Sequence, residues 1–124
     1  MRLLLDTHAL LALLSSDYRL SPAARTAMER PDAQLIVSVV SVWEIAIKRS
    51  IGKLEAPDDI IERVDKAGAQ MLSITPQHAH ATGDLPLHHR DRFDRLLIAQ
   101  AQLEGCAIVT GDSAFPAYDV PVVW

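Results

Sequence analysis

Four carboxylates fall where short apolar runs end or amphipathic runs begin. Asp6 follows Leu3-Leu4-Leu5, Glu44 stands in SVWE just after LIVSVV, Asp94 lies in FDRLLIAQA, and Asp112 closes AIVTGD. Each has an ordinary use when taken alone. Asp6 and Asp112 suit the caps of the segments that follow them. Ser41-Val42-Trp43-Glu44 has the spacing of a capping box, Asp91-Arg92-Phe93-Asp94 reads in a similar sense, and any acid in a first turn is favoured by the helix dipole. Together the four imply more. Acids beside strongly apolar runs are partly buried, and several of them close together repel, so that some stay protonated unless a cation joins them. The single cysteine, Cys106, reads as an inert thiol in a buried strand, and it leaves no thiolate zinc site to build. An all-oxygen ligand set favours Mg²⁺ or Mn²⁺, ions that keep waters and hold phosphates. Such ions bring substrate phosphates along with them.

Net charge is −4, which by itself argues against a nucleic-acid partner. Setting aside those four acids as metal-masked leaves a neutral remainder with local basic clusters: Lys48, Arg49 and Lys53 on one side, Arg90, Arg92 and Arg95 around Asp94. Lys48, Arg49, Arg92 and Arg95 are the candidates for phosphate contact, and a solvated helix face is their ordinary alternative. Aromatics make up 5% of the chain, too few for a stacking platform of the kind RNA-recognition sheets use. The histidines offer a metal-free alternative, in which a general acid and a general base drive attack by the RNA's own 2′-hydroxyl. His78 and His80 point apart if helical, and His88-His89 lies in the polar loop GDLPLHHRDR, where solvated side chains are the rule.

The elements that must position these groups alternate. Leu3–Leu5, Leu35–Val40, Met71–Ile74, Ala107–Val109 and Pro121–Val123 read as strands. THALLALL reads as a helix, as does the run after Val40, with Val42, Ile45, Ala46 and Ile51 at helical spacing up to Gly52. Asp58–Gly68 is expected to be a helix with Ile60, Ile61 and Val64 on one face; another starts at Thr75-Pro76, and Phe93–Glu104 is the clearest, stopped by Gly105. The fold class is α/β: one domain over residues 1–124, with a central parallel sheet and helices on both faces. In such sheets ligands bind beyond the carboxyl ends of the strands, and the four acids lie near strand carboxyl ends or helix amino ends, the regions that could share that edge. The opening MRLLLDTHALLALL has some features of an export signal, but Asp6 and His8 split its apolar core. No run is long enough to span a membrane, and a reducing cytoplasm fits best. A signalling receiver domain has similar length and a metal-binding acid after its first strand. It also needs an Asp at the end of the third strand and a Lys at the end of the fifth, and neither is present.

The segments LLLDTHALL, SVVSVWEIAIKRSIGKL, RFDRLLIAQA and IVTGD, in this order over almost the whole chain, resemble the PIN domain, and within it toxins of the VapC type. FDRLLIAQA followed by a strand ending in TGD is the more specific part. By position, Asp6, Glu44, Asp94 and Asp112 match the family's metal-binding acids, and Thr110 matches a hydroxyl often found two residues before the last of them. DTH stands here where DTS also occurs. Asp91 is a helix cap, a water-mediated ligand, or neither. The resemblance implies an endoribonuclease needing Mg²⁺ or Mn²⁺, a homodimer, and an antitoxin whose C-terminal segment covers the cleft. The alternative is a PIN-like module that binds RNA or a partner without cutting, in which loss of Asp94 leaves binding intact.

Overall fold

The computed structural model describes all 124 residues. Five strands form one parallel sheet: β1 (Arg2–Leu5), β2 (Gln34–Ser38), β3 (Gln70–Leu72), β4 (Ala107–Val109) and β5 (Val122–Val123), in the order β3-β2-β1-β4-β5. The six α-helices are α1 (Thr7–Leu14), α2 (Pro22–Glu29), α3 (Val39–Ser50), α4 (Ile60–Lys66), α5 (Pro76–Ala81) and α6 (Arg92–Glu104).

Register sorts the core into two layers. Leu4 pairs with Ile36 and Ile108, and these residues pack with Leu97, Ile98 and Ala101 of α6. Leu5 pairs with Val37 and Val109 and turns to the opposite layer, with Leu10 and Leu11 of α1, Ala24 and Met28 of α2 and Val64 of α4. Side chains alternate across a strand, so an unbroken apolar triplet is what a strand covered on both faces requires. All three leucines are fully buried. The stretch with features of an export signal is therefore the central strand and first helix of the core.

Several boundaries differ from those expected of the sequence, each for a local reason. The β-branched run LIVSVV stops being a strand at Ser38, whose hydroxyl accepts the Val40 amide at 3.0 Å and caps α3. Val39 and Val40 are thus the first helical turn. Ser41 is no cap and its buried hydroxyl has no partner, and Glu44 stands well inside the helix instead of closing a capping box. Helix α2 was not among the expected elements, although Ser21 before Pro22 is a good start signal and Ser21 caps Ala24. Met71–Ile74 shifts to Gln70–Leu72, and Asp58–Gly68 shortens to α4, ended by Gly68 at φ +77°. Ile61 is 59% exposed while Val64 is buried, so the expected three-residue face is not a shared one.

A buried polar string links β2 to α5 and α6. The Ser38 hydroxyl donates to Gln100 Oε1 at 2.5 Å, Gln100 Nε2 reaches the Ser73 carbonyl at 3.3 Å, and His78 Nδ1 accepts the Thr75 amide at 3.0 Å. That leaves His78 Nε2 to donate to Glu104 at 3.1 Å. His78 is a satisfied core residue, 2% exposed, and takes no part in a histidine pair. No helix is long and apolar enough to cross a membrane.

Candidate active site

Strand order reverses at β1, with β2 and β3 to one side and β4 and β5 to the other, which makes the carboxyl end of β1 and β4 the switch point of the sheet. A cleft of about 620 Å³ opens there, and Asp6, Glu44, Asp94 and Asp112 all line it. The four arrive from the end of β1, the middle of α3, the first turn of α6 and the loop after β4.

Asp6 continues the sheet by one residue, its amide donating to the Val109 carbonyl at 3.0 Å. Its Oδ1 accepts the Ala9 amide at 2.7 Å and caps α1. Burial raises its pKa, opposed by hydrogen bonds from Thr110 and the Ala9 amide and by the charge of His8. Glu44 is 5% exposed and receives the Thr7 hydroxyl at 2.6 Å and the Lys48 ammonium at 2.5 Å. Pairing with Glu44 raises the Lys48 pKa. Asp94 is pushed up to about 7, first by burial and then by the neighbouring charge of Asp91, with His89 pulling the other way. Asp91 is the cap of α6, accepting the Asp94 amide at 2.9 Å. Asp112 is the most open of the four; its Oδ1 accepts the Ala114 amide at 2.9 Å and its own amide donates to the buried Thr110 hydroxyl at 3.1 Å.

His89 bridges two of these acids, a role that its place in a polar loop did not suggest. Its Nε2 lies 2.8 Å from Asp94 Oδ2 and 3.2 Å from Asp112 Oδ2. Nδ1 faces the Asp91 amide at 3.4 Å, which leaves the ring proton on Nε2 to be shared between the two carboxylates. The ligating atoms of His89, Asp94 and Asp112 lie within 4.8 Å of one another, close enough to share one ion. Such an ion would relieve the crowding that lifts Asp94, and the oxygen-rich donor set fits Mg²⁺ or Mn²⁺.

The basic candidates divide. Lys48 lines the cleft, and so does Lys53. Arg49 is paired with Asp58. Arg92 lines a neighbouring groove with Trp43, Phe93 and Leu96. Arg95 is taken up by the loop before α6: its Nη2 donates to the Thr82 and Leu85 carbonyls at 2.9 and 3.2 Å and its Nη1 to the Pro86 carbonyl at 2.9 Å. Arg95 is thus held in place by loop carbonyls, whereas the Arg49 pair with Asp58 is solvent-exposed. His88 and His89 present their amides to the Tyr118 hydroxyl, at 3.1 and 2.8 Å, which fixes the loop that carries the bridge.

His8, Tyr18 and Trp124 also line this cleft. Only their fold-level proximity reveals this, since they lie at distant points of the sequence.

The family model described as the PIN domain matches residues 3–121. Among solved structures, a chain of VapBC2 from Rickettsia felis, crystallised with a DNA fragment from their promoter, superposes with a TM-score of 0.72 at 13% identity, covering 98% of this chain and 97% of that one. A chain of DNA-bound VapBC from Salmonella typhimurium gives 0.69 at 16% identity over 98% and 96%. VapBC-5 from Mycobacterium tuberculosis, a member of a family of toxin–antitoxin systems, gives 0.60 at 19% identity over 98% and 96%. No curated protein matches the sequence. At these identities the superpositions establish the fold, and the family model, spanning nearly the full length, establishes the relationship: the chain belongs to the PIN domain family.

Proposed function

We propose that this protein is a Mg²⁺- or Mn²⁺-dependent endoribonuclease, the toxin of a toxin–antitoxin pair. The observation that carries the reading is the convergence of Asp6, Glu44, Asp94 and Asp112 from four separate elements on one cleft at the switch point of the sheet. The VapBC complexes it resembles support an antitoxin partner, and the cytoplasm and a homodimer are part of the same proposal.

Asp94, Asp112 and Asp6 would hold the ion, with Glu44 completing the acid set. A bound divalent cation supplies acidity to water at neutral pH and positive charge for the phosphate. The chain's own groups do the rest. Hydrogen bonds to the Ala9 and Ala114 amides fix one oxygen of Asp6 and one of Asp112, and His89 meets the other oxygen of Asp112 at 3.2 Å. Thr7 and Lys48 hold Glu44 in place. Lys48 and Lys53 offer charge to the phosphates that flank the scissile one.

The test is transcriptome-wide mapping of new RNA 5′ ends after induction in a bacterium, beside Asp6→Asn and Asp94→Asn. Sharp new ends and growth arrest in the unsubstituted protein only are expected, with 5′-phosphate termini and loss of cleavage in EDTA. Identical maps for all three proteins would overturn the proposal in favour of a binding module. Ends that persist in EDTA as cyclic phosphates would point to histidine chemistry instead.

A further inference from the structure

His8, Tyr18 and Trp124 form a wall beside the acids. His8 stands edge-to-face with Tyr18 and with Trp124, ring centroids 5.7 Å apart in both pairs. All three line the cleft that holds Asp6, Asp94 and Asp112. The wall is prearranged. His8 Nε2 donates to the Arg19 carbonyl at 2.9 Å, which fixes the ring and the loop that carries Tyr18. Trp124 lies against Gly111 so closely that a Cβ there would sit 2.6 Å from the indole Cε2. Gly111 thus admits the indole directly beside Asp112, the next residue.

This arrangement needs explaining. Trp124 is 40% exposed and His8 is exposed too, so a large apolar ring is kept in water at the edge of a polar cleft. A ring used only for packing gains most by full burial. An exposed ring held by a shape-specific contact suits a partner that presents a flat face, and every nucleobase has one. The neighbouring acids and lysines select the same partner, because a strand whose phosphate enters the cleft brings its bases alongside.

We infer that the His8–Tyr18–Trp124 wall is a base-stacking subsite, which accepts an unstacked nucleobase next to the phosphate at the acidic cluster. The inference rests on the ribonuclease reading and deepens it by assigning the residues that would receive a base beside the scissile phosphate; a base already stacked in a continuous duplex could not enter. Trp124 supplies most of the stacking surface, and His8 and Tyr18 hold and border it.

The test uses the full chain carrying Trp43→Phe, so that Trp124 is the one remaining tryptophan of two. A fluorescein-labelled single strand of about 12 nucleotides and its perfect duplex are titrated with Ca²⁺ in place of Mg²⁺, so that the strand stays whole. Anisotropy reads binding and tryptophan emission reads contact. Quenching of Trp124 by the single strand is expected, and Trp124→Leu and Tyr18→Leu should weaken single-strand binding roughly fivefold to a hundredfold, with Trp124→Phe restoring most of it. Single-strand binding with unchanged Trp124 emission and full affinity in Trp124→Leu would overturn the subsite while leaving the ribonuclease reading intact. Equal affinity for strand and duplex would overturn the substrate preference. Absence of any RNA binding, together with absence of new RNA ends in cells, would overturn both.

Discussion

A carboxylate has two oxygens, and the site exploits that. Asp6 gives Oδ1 to the Ala9 amide as the cap of α1, and Asp112 gives Oδ1 to the Ala114 amide in a turn while its Oδ2 meets His89. Asp94 is different, because Asp91 does its capping. The consequence is titratable. Burial and the charge of Asp91 raise the Asp94 pKa from 3.8 to about 7, so between those values the folded protein holds a proton that the unfolded chain has lost. More protons bound in the folded state means that stability falls as pH rises through this window, with the penalty complete above about 7. In EDTA the protein should therefore melt lower at pH 8 than at pH 5, and Asp94→Asn should remove most of that difference while abolishing cleavage. A divalent ion needs the ionised acids, so it should raise the melting temperature at pH 8 far more than at pH 5. An Asp94→Asn melting curve with the original pH dependence would refute this assignment. His89 makes a second prediction. It orients Asp94 and Asp112 through Nε2, and His89→Ala should weaken Mn²⁺ binding by roughly 10–100-fold in a calorimetric titration.

Elements were legible in the sequence to the degree that local patterns decided them. Leu3-Leu4-Leu5 identified a strand covered on both faces, and FDRLLIAQAQLE with Gly105 identified α6, because each pattern is itself the cause of the structure. LIVSVV misled at its end because β-branched residues favour strand by propensity, whereas the Ser38 side chain starts a helix by satisfying an amide. Asp6 and Asp112 follow strands directly, whereas Glu44 and Asp94 reach the cleft from within α3 and α6. The long-range partners were not legible: Arg95 looked like a phosphate ligand, and its contacts lie across a loop. That loop, residues 82–91, carries His89, so its order depends on a side chain from α6. Arg95→Met should raise amide hydrogen exchange across residues 82–91 while leaving β1 and β4 protected, and should lower cleavage through His89 with the acids untouched. Unchanged exchange in the loop would show that Tyr118 alone is sufficient to hold it.

At the scale of the whole molecule, the proposed ribonuclease function requires a protein of net charge −4 to bind a polyanion. Of the cations first considered for the phosphates, Arg95 is held by loop carbonyls, Arg49 pairs with Asp58 at the surface and Arg92 lies in a separate groove, while Lys48, itself paired with Glu44, lines the cleft beside Lys53. Long-range attraction is therefore weak, and affinity must come from the ion on the acids and from short-range contact. Two lysines neutralising two phosphates of a single strand give a slope of log K against log salt of about −1.4, since each contact contributes about −0.7. Binding measured with Ca²⁺ present should follow that shallow slope, and Lys53→Ala should reduce it by about 0.7, to roughly half. In EDTA the same RNA should bind far more weakly, because the four acids then face the phosphates unmasked. A slope steeper than about −3 would mean that basic residues outside the cleft engage the strand, Arg92 first among them, and the path of the RNA would have to run over the α3–α6 groove instead.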